Sequence, residues 1–253
     1  MNFVDSSLRR EFAGWYSTRL GMEMPIVRYG SWGHALLLFP TASGDFLEAE
    51  RMYLIKSLEP LLFAGKVTVF SIDSINRHSW MNDSLPVHVK AKNQSLYSGY
   101  VEEEVAPYIR QVLQNPSARI GVTGASFGAF YAANAFFRRP DLFDTLIGMS
   151  GFYDLRPGYL RGYGDDNAYF NNPLSYLSHM NDHHVLETLR HSQIHIIAGQ
   201  GAHERPEASV QLSNTLHLKA IPHNLDLWGQ DVAHDWPWWR TMLPHYVGER
   251  VGW

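Results

Sequence analysis

The chain has 253 residues, 45% hydrophobic and 18% charged, a balance that excludes a disordered or supercharged chain and suits one domain with an extended core. A formal charge of −4 without any dense Lys/Arg run offers nothing to a phosphate backbone, so nucleic acid is not expected as a partner. The absence of cysteine removes disulfides, thiolate metal sites and sulfur nucleophiles together. The polar start MNFVDSSLRR has no apolar signal segment and no 18-residue apolar run occurs, so the expectation is a cytoplasmic protein with no membrane partner.

The elements alternate along the chain. EFAGWYSTRLG and EMPIVRYG read as antiparallel strands joined near Gly21, because β-branched and aromatic residues alternate with polar ones. HALLLFP (34–40) is a short apolar run ended by proline and reads as a buried strand; FLEAERMYLIKSLEPLLFAG has helical spacing, and KVTVFSID is the next strand. This β-α-β crossover implies a parallel sheet with helices on its faces. SLYSGYVEEEVAPYIRQVLQN (95–115) reads as a helix with Ser95 as N-cap and a kink or break at Pro107. ARIGVTG, FGAFYAANAFFRR and DTLIGMSG continue as strand, helix and strand. Residues 152–192 lose periodicity and read as an excursion over one end of the sheet. QIHIIAG, EASVQLSNTLHLKA and NLDLWG follow as strand, helix and last strand, and a closing helix runs from about Trp236 to Val247. The fold class expected is therefore α/β, a mostly parallel central sheet with an antiparallel N-terminal strand pair and helices on both faces, in a single domain spanning 1–253.

GVTGASFGAF (121–130) matches G-x-S-x-G, the strand-to-helix turn that exposes a serine hydroxyl in α/β-hydrolases. The match alone is weak, since about 0.12 chance occurrences arise in a chain with 20 Gly and 20 Ser. Its position strengthens it: Ser126 falls between a strand and a helix, which is the context the motif requires. The N–H of Phe127 is then the expected first donor to an oxyanion, and the TASG loop (41–44) after HALLLFP supplies the second, assigned to Ala42.

A serine nucleophile needs a base, and in this fold the chain order is nucleophile, acid, histidine. His34, His78 and His88 precede the serine; His191 and His195 lie before or within a strand; His223 stands at the wrong end of the last strand and His245 within the closing helix. His234, in WGQDVAHDWPWW, follows the last strand by a short loop and is the expected base. The loop after QIHIIAG offers Glu204 and Glu207; Glu204 is preferred because Glu207 suits the first turn of a helix, where an acid stabilises the helix dipole. Asp154 is an alternative acid one strand earlier, and Asp231 and Asp235 are read as loop and capping residues. HMNDHH reads as exposed loop rather than a metal site, Asp165 and Asp166 lack calcium-loop spacing, and Trp236, Trp238 and Trp239 read as anchors of the closing helix rather than a ligand platform. No motif calls for a cofactor or a metal.

LLLFPTASGD, GVTGASFGAFYAANAFFRRPDLFDTLIGMSGFYDL, YFNNPLSYL, IIAGQGAHERPEAS and LDLWGQDVAHDWPWWRTMLPHY resemble the esterase branch of the α/β-hydrolases, which includes esterase D/S-formylglutathione hydrolase, feruloyl and enterochelin esterases and the mycolyltransferases. The resemblance spans about residues 34–246 and implies a triad on Ser126, Glu204 and His234. The elbow reads GASFGA where relatives of defined activity often read G-H-S-M-G-G, so substrate identity does not transfer. Ester hydrolysis of a small-molecule substrate is the function expected, with an acyltransferase using the same residues and a non-catalytic binding module as the alternatives.

Overall fold

Strands form at the apolar runs, and their registry brings six strand ends to one edge. The computed structural model describes residues 3–253; residues 1–2, which begin the polar start, lie outside it. The antiparallel pair is β1 (Arg10–Ser17) and β2 (Met22–Tyr29). Next come β3 (His34–Phe39), α1 (Glu48–Arg51), α2 (Leu54–Phe63) and β4 (Val67–Ile72). The single helix expected over 46–65 is broken at Tyr53, whose φ is 60°. The break gives α1 its own direction. It lets buried Glu50 accept a hydrogen bond from Tyr29 Oη (2.7 Å) and pair with Arg10 Nε (2.9 Å).

Helix α3 (Val87–Tyr100) starts earlier than expected: Pro86 is its N-cap, and Ser95 lies inside it. Residues 87–94 show little amphipathic spacing, yet Gln94 is buried and accepts a hydrogen bond from Trp80 Nε1 (2.9 Å). A π turn (Val101–Val105) then leads into α4 (Ala106–Val112), with Pro107 in its first turn. Pro107 has no N–H to donate to the preceding turn, and the wider π turn falls just before it, so the helical path continues through Val112 without the break expected at the proline.

The remaining elements are β5 (Ile120–Ala125), α5 (Phe127–Arg138), β6 (Phe143–Met149), the short helices α6 (Asp166–Tyr169), α7 (Pro173–His179) and α8 (His183–Arg190), β7 (Gln193–Ala198), α9 (Pro206–Leu218), β8 (Asn224–Leu227) and α10 (Trp236–His245). The eight strands form one sheet in the order β1-β2-β4-β3-β5-β6-β7-β8, antiparallel at β1–β2 and β2–β4 and parallel elsewhere. Period-two alternation divides the core: Ala35, Leu37 and Phe39 join the layer under α3, α4, α5 and α9, while Leu36 and Leu38 join the layer under α2 and α10. The parallel strands β3, β4, β5, β6, β7 and β8 all end on one edge. Among the described residues no helix is long and apolar enough to cross a membrane.

Candidate active site

Ser126 occupies the one-residue junction between β5 and α5 with φ 56° and ψ −118°, a conformation that costs on the order of 1–3 kcal/mol and persists only where its surroundings impose it. Those surroundings are visible. Its N–H donates to Met149 O on β6 (2.9 Å), and its carbonyl accepts from Ala129 N–H (3.1 Å), closing the first turn of α5. The amides of Phe127 and Gly128 open that helix and point outward from its start.

The two flanking glycines are required by close approach. A Cβ on Gly124 would lie 2.4 Å from Gly128 C, and one on Gly128 would lie 2.5 Å from Phe39 O and 2.9 Å from Pro40 O. Helix α5 thus presses directly on β5 and on the end of β3, the strand that feeds the TASG loop. In that loop Thr41 N–H and Oγ1–H donate to the two oxygens of Glu48 (2.8 and 2.7 Å). Helix α1 thereby clamps the residue before Ala42, which is half-buried and lines the cleft beside Ser126 and Phe127.

Glu204 and His234 come from the loops after β7 and β8, and the backbone ties those loops together. Gly201 N–H donates to Val232 O (2.9 Å), His234 N–H to Ala202 O (2.9 Å) and Gln200 Nε2–H to Trp228 O (2.7 Å). The result places His234 Nδ1 3.6 Å from Glu204 Oε2, with the carboxylate side chain 1% exposed and the imidazole 25% exposed. That separation is longer than a hydrogen bond, and Nδ1 is buried without a hydrogen-bond partner. Burial pushes the Glu204 carboxyl up, but His234, Ser150 and the Gly199 amide outweigh it and hold the carboxyl below its ordinary value.

Ser126 and His234 line the same cleft, 1220 Å³ in volume. Its lining includes Phe127, Phe152 and Tyr159, with Phe152 edge-on to Phe127 (centroids 5.0 Å) and stacked on Tyr159 (5.6 Å). Arg205, Gln211 and Asn214 add polar residues to the same lining. Pro157, Gly158 and Tyr159 bring the excursion to the cleft.

The alternatives go elsewhere. Glu207 opens α9 in its first turn and is exposed at the rim. Asp154 reaches the cleft, but its carboxylate is engaged by Arg156 (2.8 Å) and Asn172 Nδ2 (3.0 Å). His223 is bonded to Ser213 Oγ (2.7 Å), and His245 faces Glu249 (3.0 Å). Asp235 caps α10 through Trp236 N–H (2.7 Å), and Asp165 caps α6 through Ala168 N–H (2.7 Å). Of the three tryptophans, Trp239 is buried and meets the His234 ring edge-on at 5.1 Å. Sequence reasoning passed over Ser150 and Glu48 and read Trp239 only as an anchor of the closing helix. Trp239 stood in view within WPWW, but only the rotation of α10 singles it out from its neighbours. Glu48, an acid opening a helix after a small-residue loop, was legible as a cap and not as a clamp.

The Esterase family model, described as "Putative esterase", matches residues 66–249. No curated protein matches the chain in sequence. Among solved structures, a ferulic acid esterase superposes with a TM-score of 0.72 at 16% identity, covering 95% of this chain and 96% of that one. An S-formylglutathione hydrolase from Staphylococcus aureus gives 0.72 at 14% identity, covering 96% and 98%. The enterobactin esterase of Shigella flexneri gives 0.67 at 18%, covering 96% of this chain and 59% of that one. At these identities the likeness is one of fold.

Proposed function

The chain belongs to the esterase family of α/β-hydrolases, and from that premise we propose that it is a serine esterase that cleaves small-molecule carboxylic esters through an acyl-enzyme, with Ser126 as nucleophile, His234 as base and Glu204 as orienting acid. The observation that supports this most is the strained Ser126 backbone, φ 56° and ψ −118°, at the head of α5, on the cleft that His234 also lines. Strain of that kind is retained where it presents a side chain for chemistry.

With Nδ1 turned to Glu204, the Nε2 of His234 is the nitrogen left for the serine. Nε2 takes the Oγ proton as Oγ bonds to the ester carbonyl carbon, and the carbonyl electron pair moves onto oxygen. The Phe127 and Ala42 N–H groups hold that oxyanion, each worth about 3–4 kcal/mol in the transition state. Collapse breaks the bond to the leaving oxygen, which departs with the proton from Nε2. Water, deprotonated by the same nitrogen, then attacks the acyl-enzyme, and Ser126 leaves with the proton returned. Glu204 stays ionised throughout and stabilises the imidazolium.

The test is a panel of p-nitrophenyl esters of varied acyl length, assayed beside the Ser126→Ala protein and with a fluorophosphonate probe. Labelling at Ser126 and a loss of about 10⁴-fold or more in kcat/KM on Ser126→Ala are expected. A folded parent that turns over esters equally well with alanine at 126 would sink the assignment. Products formed in excess alcohol separate hydrolysis from acyl transfer.

A further inference from the structure

Glu204 is an ionised group with a side chain 1% exposed, and a buried carboxylate requires partners for both of its oxygens. Oε2 faces His234 Nδ1 at 3.6 Å. Oε1 accepts a hydrogen bond from Ser150 Oγ–H at 2.5 Å, and Ser150 Oγ in turn accepts from Trp239 Nε1–H at 3.0 Å. The direction of this chain is dictated by its members. An indole N–H only donates and an ionised carboxylate only accepts, so the single hydroxyl proton of Ser150 must point at Glu204.

Each link is fixed from outside. Ser150 is 5% exposed, sits at the end of β6 with φ 50°, and donates its own N–H to Ile197 O on β7 (2.7 Å). Trp239 is 4% exposed, one turn into α10, and its ring also stands edge-on to the imidazole of His234 (86°, 5.1 Å). The helix that begins two residues after His234 thus returns one side chain both to the serine that holds the acid and to the base.

We propose that Ser150 and Trp239 are positioning residues: the relay Trp239 Nε1–H to Ser150 Oγ–H to Glu204 Oε1 holds one carboxylate oxygen so that the other is presented to His234. This rests on the serine-esterase reading and names the groups that align its acid and base. Ser150 borders the cleft, but its hydroxyl proton is committed to Glu204, and Trp239 is buried away from the cleft lining. Their loss acts on the rate of the chemical step more than on binding.

Ser150→Gly removes the hydroxyl while keeping a residue suited to positive φ, and Trp239→Phe keeps a buried ring while removing its N–H. On a p-nitrophenyl ester, Ser150→Gly is expected to lower kcat by about 10- to 100-fold, the scale of a misplaced catalytic group, with KM within about twofold. Trp239→Phe should cost less, and the double variant should match Ser150→Gly alone, because the indole acts through the hydroxyl. The Glu204 carboxyl, followed by carbon-13 NMR, should titrate at higher pH in Ser150→Gly than in the parent, a change that a merely structural residue would not produce. Losses that multiply in the double variant, or an unchanged Glu204 titration with unchanged kcat, would overturn the relay. Should Ser150→Gly melt below the assay temperature, the Glu204 titration in Trp239→Phe decides the same question. A parent that fluorophosphonate fails to label defeats the esterase reading alone, and the Glu204 titration still decides the relay.

Discussion

Replacing Gly128 by alanine sets two physical effects of opposite sign against each other. Gly128 is the second residue of α5, and helix propensity alone favours alanine over glycine by up to about 1 kcal/mol. Its new Cβ, however, would stand 2.5 Å from Phe39 O and 2.9 Å from Pro40 O, where contacts under 3.0 Å force a shift. Both obstacles are backbone atoms at the end of β3, so no side chain can rotate out of the way. Helix and strand must separate by about 0.5 Å before even a tight contact is reached, and overpacking of this kind costs about 1–3 kcal/mol. With carbonyls as the obstacle the upper end applies, leaving a net loss of about 2 kcal/mol after the propensity gain, or about 4–8 °C in Tm for a chain of this size. The moving parts are also the amide of Phe127 and the loop of Ala42, and a displacement approaching 1 Å there lowers kcat/KM by about 10²-fold. Thermal unfolding followed by far-UV circular dichroism and turnover of a p-nitrophenyl ester measure the two. A Gly128→Ala protein that melts higher than the parent and keeps kcat/KM within about twofold would refute the packing argument.

Glu48→Gln removes an acceptor from the clamp on Thr41, since an amide nitrogen cannot receive the second hydrogen bond. A loss of roughly 1–2 kcal/mol in stability and a fall in kcat with little change in KM are expected, measured by denaturant unfolding and steady-state kinetics. For Glu204, the carboxyl titrates lower in the folded chain than its ordinary value, burial being outweighed by His234 and Ser150. Its contribution is therefore fully present above the unfolded carboxyl pKa of about 4.3 and is lost as pH falls through the lower folded value. The stability of the parent relative to Glu204→Gln, from urea titrations at pH 7, 5, 4 and 3, should be constant above pH 5 and drop below pH 4. A difference that stays flat to pH 3 would show that the carboxylate has no folded-state partner.

Much of the fold was legible because its signals are local. Alternation in the first two segments and short apolar runs in the later ones located the strands, whereas the division of Leu36 and Leu38 from Leu37 and Phe39 between the two core layers is read from the structure. The departures have causes that no local signal announces: Lys90 and Gln94, early in α3, bury through tertiary contacts that a hydrophobic period cannot report, and Tyr53 breaks α1 from α2 without a glycine or proline to mark it.

For the candidate site, the sequence by itself determined which residues stand at strand ends. A strand, a G-x-S-x-G turn and a helix identify Ser126, and the order of the later strands leaves Glu204 and His234 as residues of the following loops. It also determined that Gly124 and Gly128 flank the serine, since a small-residue turn is written in consecutive letters. Only the tertiary structure decided what those glycines press against, which tryptophan of WPWW turns inward, and that Ser150 and Trp239 reach the carboxylate of Glu204. The physical reason is range. Backbone conformation and burial period depend on neighbours within a few residues, whereas Ser150 and Glu204 are 54 residues apart and Ser150 and Trp239 are 89 apart. Contacts over such separations exist only after β6, β7 and β8 have paired and brought their ends to one edge.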